Sequence, residues 1–491
     1  MSAGGSQLPR RLRRNQLGFA VGWACIVLLI VAAGEYVHLR LPSLARRSHQ
    51  LPVQAEPRAR VSVPRAIVAR LRALPARGPA EAPLVLTYHG VEPAPRSPFS
   101  ISPNRLQAEL AALREAGYRS VGEARFLAWL DGRARLPRKA VLVTFDDGLA
   151  STWRYADPIL RRLHLRAVAF LVTGHLDRGS YYLGADEVRR LAQSGRWSFG
   201  AHTAAGHTYV STGPGREPEA FLVARRWLPS RGRRETYAEF ARRVRADTRT
   251  ALAWFSDHRL PRPELFAYPF SAAASPDRRA TGISASILSH AFAARFLDDS
   301  RGAVTDRAQL ERRVFRRLDV LGTDSLARFA DEVTAATPLP LGSPGTWSRS
   351  SGRGRVVAGR PGVTLEPRRG SWLEAALAPT RTLAWSDYDV SADASGLGGG
   401  AVAGISIPGV SVSVGRAWYE VRAGSRVVAQ GPLPARDGHR LLVRRGGKAA
   451  RVAIDGTPVA GVPVGAGGGG PSLFVEAPPG SRVRFSRIRV R

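Results

Sequence analysis

The chain has 491 residues, 44% of them hydrophobic and 23% charged, and a formal net charge of +34. That balance excludes a wholly disordered protein, and a single cysteine, Cys25, excludes a disulfide-stapled scaffold. The charge is spread: residues 1–80 and 81–340 each carry a net +11, residues 341–491 a net +12, and all basic residues except Lys139 and Lys448 are Arg. A solvated basic surface set by composition bias is therefore expected. No specific nucleic-acid partner is, because no motif accompanies the charge.

In chain order, residues 1–16 form a basic N-terminus with Arg10, Arg11, Arg13 and Arg14. The uncharged apolar run from Leu17 to Gly34 is about 18 residues, near the lower limit for spanning a bilayer. It predicts a transmembrane signal anchor over 17–38. The Arg cluster would stay in the cytoplasm and the rest of the chain would face outward from a single-pass anchor in the cell membrane. The alternative is secretion after cleavage near Ala32-Ala33-Gly34. Residues 39–81, rich in Arg, Pro and Ala, are expected to be a stalk.

Residues 82–338 alternate short apolar runs with helical patterns. The strand-like runs are 84–88, 140–145, 167–172, 197–201, 265–268, 291–296 and 314–318. Helical spacing is seen over 105–116 (Leu106, Leu110, Leu113), 235–255 (Phe240, Val244, Thr248, Leu252) and 324–336. Strands separated by helices imply a parallel sheet in an α/β domain, and seven of them a barrel with its chemistry at the C-terminal strand ends. Residues 339–355 (LPLGSPGTWSRSSGRGR) are expected to be a linker. Residues 356–491 show short alternating runs broken by glycine, with a hairpin turn at Ile454-Asp455-Gly456-Thr457 and a bulge near Ser486. They predict an all-β sandwich of jelly-roll, lectin-like pattern. Trp385, Tyr388, Trp418 and Tyr419 are candidates for stacking on sugar rings, although strand aromatics more often fill a core.

Three motifs end predicted strands. Thr144-Phe145-Asp146-Asp147-Gly148 sets two carboxylates side by side, which is costly without a cation or proton nearby. His202-Thr203-Ala204-Ala205-Gly206-His207 offers two imidazoles across a loop, and Tyr268-Pro269-Phe270 closes a third strand. Singly each is also compatible with an ordinary turn. Together, two imidazoles and one carboxylate suit a divalent metal, Zn²⁺ above all, with the second carboxylate free to take a proton from water. Such apparatus hydrolyses an amide or ester carbonyl.

With Leu86-Thr87-Tyr88-His89-Gly90-Val91 at the first strand, Ala156-Asp157-Pro158-Ile159-Leu160, and the run Gly195–Thr203, this ordered set over about residues 83–335 resembles the polysaccharide deacetylases (NodB-homology domain, carbohydrate esterase family 4). The five-residue step between the histidines is closest to the poly-N-acetylglucosamine deacetylase branch. The resemblance implies an irregular (β/α)₇ barrel and metal-dependent removal of N-acetyl groups from an envelope or extracellular polysaccharide. By motif, Asp146 would be the general base; Asp147, His202 and His207 would hold the metal; and the Phe270 N–H would meet the oxyanion. Two departures stand out. Ala267 lies where the family often has an Arg that orients the base. The late histidine that protonates the leaving group is missing, since Arg317-Leu318-Asp319-Val320 fills that region and no His lies between His290 and His439. His290 is expected to be packing or surface, and His89 structural or substrate-facing. A catalytically weak or inactive carbohydrate-binding surface protein and an O-acetyl esterase on the same fold are the rival readings; substrate-binding residues and oligomeric state are unassigned.

Overall fold

The computed structural model describes residues 51–59, 61–75, 82–299, 304–343, 345–359, 362–368, 372–446, 448–465 and 467–491. The expected basic N-terminus (1–16) and signal anchor (17–38) lie outside them. Among the described residues, no helix is long and apolar enough to cross a membrane.

Seven strands build the first half: β1 (Leu84–Tyr88), β2 (Ala140–Phe145), β3 (Ala167–Leu171), β4 (Trp197–Ala201), β5 (Leu265–Ala267), β6 (Ala294–Asp298) and β7 (Val314–Asp319). Each pairs in parallel with the next, and β7 returns to β1 through Leu86↔Leu318 and Thr87↔Asp319, closing a barrel. The strands read LVLTY, AVLVTF and AVAFL because parallel strands are buried on both faces and leave no polar alternation. The closure is irregular at β4–β5, which share one register pair, Phe266↔Ala201. Gly200 belongs there: a Cβ would stand 2.3 Å from the Phe170 ring and 2.9 Å from the Leu265 carbonyl oxygen.

The helices are α1 (Arg65–Ala73), α2 (Pro103–Glu115), α3 (Glu123–Leu130), α4 (Asp157–Leu163), α5 (Ala185–Gln193), α6 (Tyr237–Asp257), α7 (Arg278–Ala291), α8 (Arg307–Arg312) and α9 (Leu326–Ala335). Local chemistry fixes their starts. Ser102 caps α2 with Pro103 at its first position, and Thr236 and Glu239 form a reciprocal capping box on α6. The expected helical faces are inward: Leu106, Leu110, Leu113, Phe240 and Val244 are all buried. Strand β6 starts at Ala294 rather than Ala291, which closes α7 instead.

Two expectations need correction. The described part of the proposed stalk (39–81) includes α1, whose Val68 and Leu71 are buried, Leu71 within the barrel's core cluster; two buried apolar residues one turn apart leave little signal in an Arg-rich stretch. The proposed linker (339–355) contains a strand, β8 (Trp347–Gly352), held by its backbone ladder to the strand at Trp372–Leu377 while its Ser and Arg side chains face water.

The second half is a sandwich of two seven-stranded antiparallel sheets. Asp455 (φ 50°) and Gly456 (φ 88°) make the expected tight hairpin, and Arg487 (φ 48°) sits in the expected bulge opposite Ser391–Asp393. Trp385 and Tyr388 are core, not platform. Trp385 Nε1–H donates to the Leu339 carbonyl (2.7 Å) and Tyr388 O–H to the Gly469 carbonyl (2.7 Å). Trp418 is exposed and Tyr419 half-buried.

Candidate active site

All three motifs sit at one end of the barrel, each immediately after its strand. The Asp146 N–H donates to the Tyr88 carbonyl (2.9 Å), and the His202 N–H to the Leu171 carbonyl (2.9 Å), so each motif begins on a ladder bond from its neighbouring strand. The backbone then turns sharply. Asp147 (φ 72°), Thr203 (φ 76°), Phe270 (φ 57°) and Ser271 (φ 55°) are four of the eleven non-glycine residues with positive φ among the described residues. For a β-branched residue such as Thr203 this conformation is strained, and strain of about 1–3 kcal/mol per residue persists where surrounding structure enforces it.

The turns bring Asp147, His202 and His207 together, with one ligand atom from each within 4.8 Å of the others. Asp147 Oδ1 is 3.3 Å from His207 Nε2 and 3.6 Å from His202 Nε2. His202 Nδ1 lies 2.8 Å from the Ala267 carbonyl, which can only accept. Nδ1 therefore carries the hydrogen, and Nε2 points its lone pair at Asp147. Burial, reinforced by His207, pulls the His202 pKa down to about 3, so this ring is neutral. Burial pushes the Asp147 carboxyl up, but the imidazoles of His207, His89 and His202 outweigh it and hold it below the ordinary range. Asp147 Oδ1 is buried with no hydrogen-bond donor among the described residues. A buried carboxylate oxygen without a donor, facing two imidazole nitrogens, fits the O/N/N donor set of a divalent cation.

The loop between the histidines is fixed from α6. Asp247 accepts the N–H groups of Ala204 (3.1 Å) and Ala205 (2.8 Å). On the other side, Gly174 N–H donates to the Ala204 carbonyl (2.9 Å), an approach so close that a Cβ at Gly174 would stand 2.4 Å from that oxygen.

Asp146 is 1% exposed and held by a residue with no motif of its own. Arg317, on β7 and 0% exposed, donates Nη1 to Asp146 Oδ1 (2.8 Å) and Nη2 to Asp146 Oδ2 (2.6 Å). Its Nη2 is also 2.9 Å from Asp298 Oδ1, and its guanidinium faces the Phe170 ring at 5.2 Å. The Arg missing at Ala267 is thus supplied from the last strand: a planar fork matched to a carboxylate, kept charged in the wall.

The sequence leads one to expect His89 to be structural or substrate-facing. The structure sets it at the same mouth, with ligand atoms of His89, Asp146 and Asp298 within 4.8 Å of one another. Its Nε2 is 3.9 Å from Asp298 and its Nδ1 3.9 Å from Asp319. Burial pulls its pKa down, but the carboxylates of Asp147, Asp146, Asp298 and Asp319 outweigh this and raise it. Asp319 itself is pushed up to about 6, chiefly by burial. His290 is on the surface of α7, its Nδ1 2.7 Å from the Ser286 carbonyl. Phe270 stands in the third loop, its ring 4.5 Å from that of His207 and 41% exposed.

The polysaccharide deacetylase family model matches residues 133–281. The poly-beta-1,6-N-acetyl-D-glucosamine N-deacetylase of Escherichia coli K12 is 27% identical over 206 residues, which are 39% of this chain and 31% of that protein. The protein of the same name from Staphylococcus aureus MSSA476 is 23% identical over 109 residues, 21% of this chain and 37% of that one. The chain thus spans about a third of the length of these relatives. A solved de-N-acetylase from Aggregatibacter actinomycetemcomitans is 21% identical, with a TM-score of 0.45 over 51% of this chain and 98% of that one. The matched residues 133–281 carry the Asp146-Asp147, His202/His207 and Tyr268–Phe270 motifs and four of the seven barrel strands, and over this part the chain is similar to the polysaccharide deacetylases.

Proposed function

We propose that the chain is a metal-dependent hydrolase that removes N-acetyl groups from an extracellular or cell-envelope polysaccharide, a polymer of N-acetylglucosamine above all. The observation that carries this is the orphaned Asp147 Oδ1 facing two imidazole nitrogens, beside an Asp146 clamped by Arg317. The names of the curated relatives support the N-acetylglucosamine polymer. We place the barrel outside the membrane, held by an anchor at 17–38.

Asp147, His202 and His207 would hold the cation, Zn²⁺ by their donor set. Bound there, it supplies Lewis acidity towards a carbonyl oxygen and a lowered pKa for water. The Asp146 carboxylate takes a proton from the attacking water, and Arg317 fixes the plane in which that carboxylate accepts it. The Phe270 N–H donates to the oxygen that gains charge as the water oxygen adds to the acetyl carbon. His89, its proton favoured by the carboxylates of Asp147, Asp146, Asp298 and Asp319, would protonate the sugar nitrogen as the C–N bond breaks. Acetate and a free amine are the products.

The assay is acetate release from a panel of N-acetylated polymers with added Zn²⁺. Release should be abolished by a chelator, restored by metal, and lost in Asp146→Asn. No release from any polymer at saturating metal would refute the reading.

A further inference from the structure

The two outer faces of the sandwich are charged differently, and strand register sets the pattern. In one sheet, four neighbouring strands are Val483–Val490, Tyr388–Ser395, Gly438–Gly446 and Ala449–Ile454. Their inward positions are apolar or hold the buried His439 and Arg445; their outward positions carry six Arg against two Asp. Arg484 and Arg489 are five residues apart, which on a regular strand would put them on opposite faces. The bulge at Arg487 inserts one residue, so Arg484 faces Ser395, Arg489 faces Ser391, and both point outward. Asp389 pairs with Arg444, and Asp393 with Arg487 and, at 3.9 Å, with Arg440. Arg451, Arg484 and Arg489 are exposed and have no carboxylate at ion-pair distance among the described residues. Arg451 also stands directly opposite Arg444, a like-charge pairing that costs stability.

Composition bias would load both sheets alike. On the other sheet, the strands Trp372–Leu377, Val402–Ile407, Val410–Val414, Trp418–Ala423 and Ser472–Glu476 carry three Glu and one Arg, all at outward positions. The Arg excess of the sandwich is thus sorted to one face in spite of its self-repulsion, and an anionic partner relieves that repulsion. The six Arg spread over four strands, about 14 Å across them and about 20 Å along them, so they match a plane of charge better than a single chain. Sugar rings would call for an exposed aromatic face, and Tyr388 and Phe485 of these strands are both buried. We propose that this face docks on an anionic phospholipid surface, its guanidinium groups meeting headgroup phosphates. The test below takes the anchor at 17–38 from the reading above.

The full chain is reconstituted into vesicles of phosphatidylcholine, alone or mixed with phosphatidylglycerol. A dye at Ala449→Cys on the basic face, or at Ser413→Cys on the opposite sheet, each with Cys25→Ser, transfers energy to headgroup-labelled lipid. Retention on phosphatidylcholine alone reads the anchor; if the chain is not retained there, co-sedimentation with the mixed vesicles reads the face without it. Phosphatidylglycerol should raise transfer from the dye at 449 and leave that at 413 unchanged. Arg451→Gln, Arg484→Gln and Arg489→Gln, about 5-fold each, should together weaken docking about 100-fold and return transfer to the phosphatidylcholine level, with acetate release kept. High salt should do the same to the wild type. An equal gain at both positions, no gain with phosphatidylglycerol, or a gain that survives the triple variant overturns the proposal. So does capture of polygalacturonate, an acidic polysaccharide, without any response to phosphatidylglycerol: the face would then serve a polymer.

Discussion

Replacing Arg317 tests the site at its least expected point. In Arg317→Met, Asp146 loses both donors and Asp298 loses its nearest cation, in a wall where Asp146 is 1% exposed. Removing one partner of a buried pair costs about 3–5 kcal/mol, because the remaining charge is stranded away from water. At about 2–4 °C per kcal/mol for a unit of this size, Tm should fall by roughly 6–20 °C. Arg317→Lys separates stability from orientation. The positive charge survives, but one ammonium cannot meet Oδ1 at 2.8 Å and Oδ2 at 2.6 Å as a planar fork does. Its stability loss should be about 1.5–3 kcal/mol, of the order of one charged hydrogen bond. Zinc content, measured by atomic absorption, should be unchanged, since Arg317 touches none of Asp147, His202 or His207. Acetate release should nonetheless drop by about 10²- to 10⁴-fold, the usual contribution of a positioned base. An Arg317→Lys enzyme with wild-type kcat would show that charge alone holds Asp146, and the fork would have no catalytic part.

Two further outcomes follow from other residues. Asp247→Asn leaves one acceptor oxygen for the N–H groups of Ala204 and Ala205, so the loop between His202 and His207 loosens; Zn²⁺ affinity by chelator competition should fall about 10- to 100-fold with Tm nearly kept, and unchanged affinity would refute a positioning role. In the pH profile of kcat, a raised His89 pKa keeps the acid protonated to higher pH, so activity is lost only as pH climbs through that raised value; Asp298→Asn removes one of the anions responsible and should move this alkaline limb to lower pH, whereas an unmoved limb would assign it to another group.

Residues differ in how far the chain alone discloses them, and the difference is physical. Asp146, Asp147, His202 and His207 were legible because a parallel strand buried on both faces leaves an unbroken apolar run, and chemistry must begin where that run stops. In the sandwich, Val410–Val414 alternates inward and outward along an interior strand, which is the signal a half-buried sheet writes into its sequence. Strand β8 writes none. Trp347–Gly352 (WSRSSG) keeps both faces largely in water, and only its backbone ladder makes it a strand. Arg317 has no local signature of any kind. It stands 171 residues from Asp146, flanked by Arg316 and Leu318, in a chain where Arg is the commonest charge. Its role exists because the barrel closes: pairing of β7 with β1, while β1 also pairs with β2, puts the last strand one position from the first motif. His89 is the same case from the other end of the domain, a lone histidine after β1 until closure sets Asp298 and Asp319 around it. The ligand set needs only strand ends and loops close in sequence, whereas the base's clamp and the acid need the circle completed. A reading that stops at motifs sees only gaps at Ala267 and after β7; the closed barrel sets Arg317 on Asp146 and His89 beside Asp319, so that under the proposed reaction residues from its seam would fill both.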